Sequence, residues 1–165
     1  MKLSKSSLGP TAKKIVARIQ KVRKAADKAA RSKHRFANYR YLRSVLSAYS
    51  FFEDNDLLPH LAEIAPSVLM TPGRGHPLRE IIEATCIQPD LRMRSRWTRA
   101  LEFAVREKIN PKELARFFRA HNGIAGCADL EGKTGPKRPR SGTKKSPAST
   151  LFRQRLNFSN QLTRQ

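Results

Sequence analysis

The stretch Phe36-Ala37-Asn38-Tyr39-Arg40-Tyr41-Leu42-Arg43-Ser44-Val45-Leu46-Ser47-Ala48-Tyr49-Ser50-Phe51-Phe52 decides the fold class. Phe36, Tyr39, Leu42, Val45, Leu46, Tyr49 and Phe52 recur at steps of three and four. That is the repeat of one helix face and not the alternation of a strand. The spacing predicts a helix over 35–52. Aromatic side chains at helical spacing are usually packed in a core, so the stripe is read as buried. Arg40 and Tyr41 fall off the stripe and are expected to face outward, toward a nucleic acid. Glu53-Asp54-Asn55-Asp56 then ends this helix or caps the next.

N-terminal to this stretch, Pro10-Thr11 opens a second helical pattern that runs to about Arg31. Ile15, Ile19, Val22, Ala26 and Ala29 form a narrow apolar seam, while Lys14, Arg18, Lys21 and Lys28 repeat along another face. Toward the C-terminus, Leu57, Leu61, Ile64 and Val68 predict a short helix with Pro59 in its first turn and Pro66 as a breaker. Thr71 to Pro77 reads as a loop. Its Gly73-Arg74-Gly75 lacks the Lys-Ser/Thr ending of a phosphate-binding P-loop, so nucleotide hydrolysis is not supported and a plain connector is expected.

Pro77 opens another helix to about Cys86, and Asp90 caps a longer one over 91–108. That longer helix buries Met93, Trp97, Ala100, Leu101, Ala104 and Val105, and carries Arg92, Arg96 and Arg99 as a ridge with Arg94 beside it. Asn110-Pro111-Lys112-Glu113 is a start signal for a helix to His121, and Asn122-Gly123 is its stop. Ile124 to Leu130 is expected to add one more turn. From Gly132 to Ser149 there is no Leu, Ile, Val, Phe or Met from which to build a core, so disorder is expected. Leu151, Phe152, Leu156, Phe158 and Leu162 then form a short amphipathic element suited to docking on the core or on a partner.

Charge sorts along the chain in blocks. Among 165 residues there are 34 Lys+Arg and 13 Asp+Glu, a net charge of +21. Residues 1–50 hold 14 Lys/Arg and one acid, Asp27, and residues 133–165 hold 9 and none, whereas residues 51–89 hold 2 and 6. Two basic ends flanking a balanced middle exceed what solubility needs, and they strain the compact state by self-repulsion. A polyphosphate partner relieves that strain and releases counterions on binding. The basic, serine-bearing N-terminus also has the look of an organelle transit peptide. Its bases are mostly Lys, however, and its helical pattern runs on into core, so targeting is set aside.

Catalysis finds little support. His34, His60, His76 and His121 show no metal-ligand spacing, and Cys86 and Cys127 sit on apolar helix faces, where an inert buried thiol is the ordinary case. Two thiols make neither a disulfide scaffold nor a four-thiolate zinc site. Glu80 and Glu83 read as helix-surface carboxylates, and no nucleophile-elbow or zinc-protease signature is present. No apolar run reaches the roughly 18–20 residues of a spanning helix. The first helix also has too few large apolar residues to lie on a membrane. The segment 91–130 has the outline of a helix-turn-helix, but its turn spacing is wrong and its last piece is too short and uncharged for a reading helix. The arginines at 92, 94, 96 and 99 fit either phosphates or pairing with Glu80, Glu83, Glu102 or Glu107.

Arg94-Ser95-Arg96-Trp97-Thr98-Arg99-Ala100-Leu101, with Asn122-Gly123-Ile124-Ala125-Gly126-Cys127-Ala128, resembles small, basic bacterial proteins found near mobile elements. The resemblance covers about a quarter of the chain and brings no activity with it. What it implies is an accessory role around DNA.

The sequence therefore predicts an all-α protein. Its expected form is a flexible 1–9, a compact bundle of about six short helices over 10–131, and a disordered basic tail over 132–165 with an amphipathic segment at 150–162. The expected function is non-enzymatic nucleic-acid binding, DNA ahead of RNA, without a cofactor or metal, in the cytoplasm or nucleoid (the nucleus in a eukaryote). Phosphate contacts are expected from Lys14, Arg18, Lys21, Lys28, Arg40, Arg43, Arg92, Arg94, Arg96, Arg99, Lys137, Arg138 and Arg140. The rival reading is an adaptor that meets an acidic protein through its basic helices and uses Leu151, Phe152, Leu156 and Phe158 as a docking edge.

Overall fold

A computed structural model describes residues 9–34, 36–64, 76–86 and 90–134. The expectations for Pro66, for the loop at 71–75, for Lys137, Arg138 and Arg140 and for the segment at 150–162 lie outside the described residues. The fold is all-α. Among the described residues there are seven helices and no strand: α1 Pro10–Arg31, α2 Ala37–Asp54, α3 Leu58–Ile64, α4 Pro77–Thr85, α5 Leu91–Arg106, α6 Leu114–Ala120 and α7 Gly123–Thr134.

α1 begins with Pro at its first position, where a missing N–H costs nothing, and ends with Lys28 and Arg31 beside the negative pole of its dipole. Its seam of Ile15, Ile19, Val22 and Ala26 is buried against α2, as the spacing predicted. Burial of each Ile favours this packing by about 1.5–3 kcal/mol. α4 lies against α1, α2 and α5, and Arg23 of α1 ties it down by donating to the Ala84 carbonyl at 2.7 Å. That bond satisfies a carbonyl that the end of α4 would otherwise leave open. Asp90 caps α5 by accepting from the Arg92 N–H at 2.8 Å. α5 buries Trp97, Ala100, Leu101, Phe103 and Ala104, and pairs along its length with α7.

Three elements depart from expectation. The buried face of α2 is rotated. Ala37, Tyr41, Leu42, Val45, Leu46, Ala48, Tyr49 and Phe52 are inside, whereas Phe36 stands 39% exposed at the N-cap and Tyr39 is half-buried. Tyr41 is thus a core residue and not an outward one. Its hydroxyl donates to Thr85 Oγ1 at 2.9 Å, while Thr85 in turn donates to the Ile81 carbonyl at 2.7 Å. Its ring also packs on Trp97. Burial pushes the Tyr41 hydroxyl well above its ordinary pKa, partly offset by the Thr85 bond and by Arg94. The reason for the rotation is tertiary: α2 packs on α1, α4, α5 and α6, so its buried arc is wider than one stripe.

The second departure is α6, whose regular helix starts at Leu114. Asn110 closes a turn first, accepting from the Lys112 N–H through its side chain and from the Glu113 N–H through its carbonyl, both at 2.9 Å. The third is α7, which is a full 12-residue helix reaching past the expected boundary at 131. Asn122 and Gly123, at φ of 57° and 82°, make the reversal that starts it. Its glycines weaken it as an isolated helix, yet packing on α5 outweighs that loss.

Gly126 shows why. A Cβ there would stand 2.0 Å from the His121 carbonyl oxygen and 3.1 Å from Asn122 Cβ. Alanine is the better helix former by about 1 kcal/mol. A contact this close to backbone nonetheless falls at the upper end of overpacking costs, about 2–3 kcal/mol. Gly126→Ala is therefore expected to lower stability by about 1–2 kcal/mol, read as a drop in the urea midpoint. An unchanged or higher midpoint would show that the turn at 121–123 yields freely.

Candidate nucleic-acid interface

The α1–α2 hairpin carries the strongest charge asymmetry in the fold. Between residues 10 and 52 the sequence holds 12 Lys/Arg and a single acid, Asp27. On α1, residues 14, 18, 21 and 28 repeat at four, three and seven. On α2, residues 40, 43, 44 and 47 repeat at three, one and three. Each set is one helix face, and the packing of α1 on α2 turns the two faces toward a shared groove.

That groove has a volume of about 450 Å³ and is lined by Arg18, Lys21, Val22, Arg40, Arg43, Ser44 and Ser47. It stays open because Ser44 and Ser47 are short. A second depression continues toward the end of α1, bringing in Lys28 and sharing Arg40 and Ser44. Lys14, Lys21, Lys28, Arg40 and Arg43 are exposed. Among the described residues no ion pair joins any of these five to a carboxylate. Their charge is therefore not neutralised from within. Two acids of the fold are engaged elsewhere: Glu83 pairs with Arg79 at 2.7 Å and Glu131 with Arg106 at 2.7 Å.

Arg18 differs from the rest. Its Nη2 donates to both the carbonyl and the hydroxyl of Ser47 at 2.9 Å, and its guanidinium lies 4.8 Å from the centre of the Phe51 ring. It clips α1 to α2 and is half-buried, so it shapes the groove more than it extends from it.

The arginines of α5 do not line this groove. Arg92 and Arg96 are exposed, whereas Arg94 and Arg99 are half-buried. Arg99 lies over α7, its Nη1 3.5 Å from where a Gly132 Cβ would stand. The outline of a helix-turn-helix does not become one either. α7 is held along α5, and its exposed positions are Ala125, Asp129, Gly132 and Lys133, with no cationic ridge to read a groove.

Four residues of this region escape the sequence reading. His34, Phe36, Tyr39 and Arg119 join Arg40, Arg43 and Ala115 around a depression of about 280 Å³ between α2 and α6. Arg119 is separated from Arg40 by about half of the chain, so only the α2–α6 contact brings it there. Phe36 carried a signal, since it opens the aromatic stripe, but the sequence places it on the buried side.

Among the described residues no cluster of three or more His, Cys, Asp or Glu is arranged to hold a metal ion, and no helix is long and apolar enough to cross a membrane. Cys127 is fully buried, and burial pushes its thiol up to about 11. Cys86 is half-buried. A raised thiol pKa keeps Cys127 neutral through pH 9, and the stability tied to that neutral form is lost as pH rises through about 11. Near pH 8 a thiol reagent is expected to modify Cys86 first and Cys127 only in denaturant. Equal rates for both thiols in the folded protein would contradict this burial. Comparison with protein families, with curated proteins and with solved structures finds no match to this chain.

Proposed function

We propose that this protein binds nucleic acid without catalysing a reaction on it, DNA in preference to RNA, in a regulatory or accessory role. The observation that carries the reading is the α1–α2 groove, in which Lys21, Arg40 and Arg43 converge with Arg18 among the described residues without a neutralising acid. Backbone phosphates are the ligand that such a groove suits. Each contacted phosphate releases condensed counterions, and that release is the main source of affinity at moderate salt. Exposed Lys14 and Lys28 extend the same side of α1, and Arg92 and Arg96 offer further contacts from α5. Base-edge readout has no comparable support among the described residues, where the exposed positions of α7 carry no cationic ridge.

The test is a salt titration of binding to a blunt DNA duplex. Five to seven phosphate contacts give a log–log slope of about −4.5 to −6.3. A slope near zero would end this reading. An RNA duplex of the same sequence, run in parallel, tests the preference for DNA. Capture of a protein partner that survives nuclease, with no shift of bare DNA or RNA, would support the adaptor reading instead.

A further inference from the structure

We infer that the depression between α2 and α6 holds a terminal phosphate, so that the preferred ligand is DNA with a phosphate monoester at a strand end, the strand running from that end into the α1–α2 groove. The inference deepens the nucleic-acid reading and rests on it.

Three guanidinium groups from two helices line this depression. Arg40 and Arg43 come from α2 and Arg119 from α6, and all three residues are exposed. The lining contains no carboxylate, and among the described residues no ion pair joins any of the three to an acid. Arg119 Nε donates to the Ala115 carbonyl at 3.2 Å, which holds the side chain along α6 and engages one donor of its fork. The rest of the wall is largely apolar, and its rings are packed on one another. The Phe36 ring meets those of His34 at 5.9 Å and Tyr39 at 5.4 Å, and Tyr39 meets the buried Phe118 edge-on at 5.3 Å. Low-dielectric walls of this kind focus the field of nearby cations.

The charge of the cluster selects the occupant. Like charges gathered in a concavity repel, and a multiply charged anion relieves the repulsion. A phosphate monoester carries about −1.5 to −2 at pH 7 and has three strong acceptor oxygens for guanidinium forks. A phosphate within a strand brings a single charge, and so does a carboxylate, so either leaves part of the cluster uncompensated. The volume of about 280 Å³ falls just below the range of pockets that hold drug-sized ligands, which suits a phosphate group better than a helix or a duplex. The neighbouring groove supplies the rest of the ligand. Arg40 and Arg43 line both concavities, so a strand whose end sits against Arg119 passes its next phosphates toward Arg18 and Lys21. A phosphopeptide would fill the cluster but bring no row of further anions for that groove.

The experiment uses the full chain and a DNA hairpin with one blunt end, made with a phosphate at the 5′ terminus, at the 3′ terminus or at neither. Wild type is expected to bind at least one phosphorylated form about ten- to a hundred-fold more tightly than the hydroxyl form, the range for one charge-assisted contact. Arg119→Gln should abolish that preference. It should leave the affinity for the hydroxyl form and its log–log salt slope unchanged, because Arg119 does not line the α1–α2 groove. Arg116→Gln removes another exposed cation of α6 and should change neither. Inorganic phosphate, added at constant ionic strength, should erase the preference without displacing the hydroxyl form. Thermal midpoints check that both variants fold, and the comparison of ends in wild type decides the proposal without them. Equal affinities of wild type for all three hairpins would overturn the terminal-phosphate site, even if free phosphate binds the cluster. Equal losses in Arg119→Gln on every hairpin would also overturn it, as would a phosphoserine peptide that binds as tightly as the phosphorylated hairpin. In each of these cases a steep salt slope keeps the phosphate groove. Absence of a salt slope in wild type would overturn both.

Discussion

Replacing Lys21, Arg40 and Arg43 together by alanine is expected to weaken DNA binding by two to three orders of magnitude at about 0.1 M salt. Each lost phosphate contact removes about 0.9 from the log–log salt slope, so the slope should become shallower by about three. All three side chains line the α1–α2 groove, and Arg40 borders both neighbouring depressions as well. Stability should not fall. The three cations have no acidic partner among the described residues, and removing mutually repelling charge relaxes the hairpin. The control removes the same charge elsewhere, as Lys112→Ala, Arg116→Ala and Lys133→Ala, all exposed and outside the groove. A control as weak as the groove variant would show that net charge, and not the groove, holds DNA.

Phe118→Ala is expected to cost about 3–5 kcal/mol, a large part of the ~5–15 kcal/mol that holds a domain of this size together. Phe118 is fully buried where α6 meets α2, in contact with Tyr39 and Phe117. Truncation leaves a cavity that short α6 cannot close without dragging the turn at 121–123 with it. Trp97, the single tryptophan and only 4% exposed, reports the outcome through the red shift of its emission in a urea titration. Phe118→Leu keeps most of the volume and should cost less than about 1.5 kcal/mol. Similar losses for the two variants would mean that ring shape, and not filled volume, is what the site requires. Because Tyr39 leans on this ring, Phe118→Ala should also loosen the depression beside Phe36.

The seam of α1, the Asp90 cap and the Asn122-Gly123 stop were legible because each depends on neighbours within a turn or two. A helix repeat, a cap and a left-handed residue are local choices, and their energies are set before any long-range contact forms. The inward turn of Tyr41, the exposure of Phe36 and the full length of α7 were not legible. Each depends on which helices meet: α2 packs on α1, α4, α5 and α6, while α7 packs along α5. For the same reason the sequence placed Arg40 outward correctly and Tyr41 outward wrongly. One residue is a turn of 100°, and a two-sided helix buries a wider arc than a one-sided stripe suggests.

The candidate site divides along the same line. The excess of lysine and arginine in the first fifty residues, and its spacing along two helix faces, is written in the order of residues and needs no fold to be read. That Arg18 is spent on holding the hairpin together, that Arg94 and Arg99 lie half-buried, and that Arg119 joins Arg40 and Arg43 around an aromatic floor were decided by the packing of helices distant in sequence. Charge is a property of composition and survives any arrangement of the chain. The concavity that concentrates charge exists only once two particular surfaces have met.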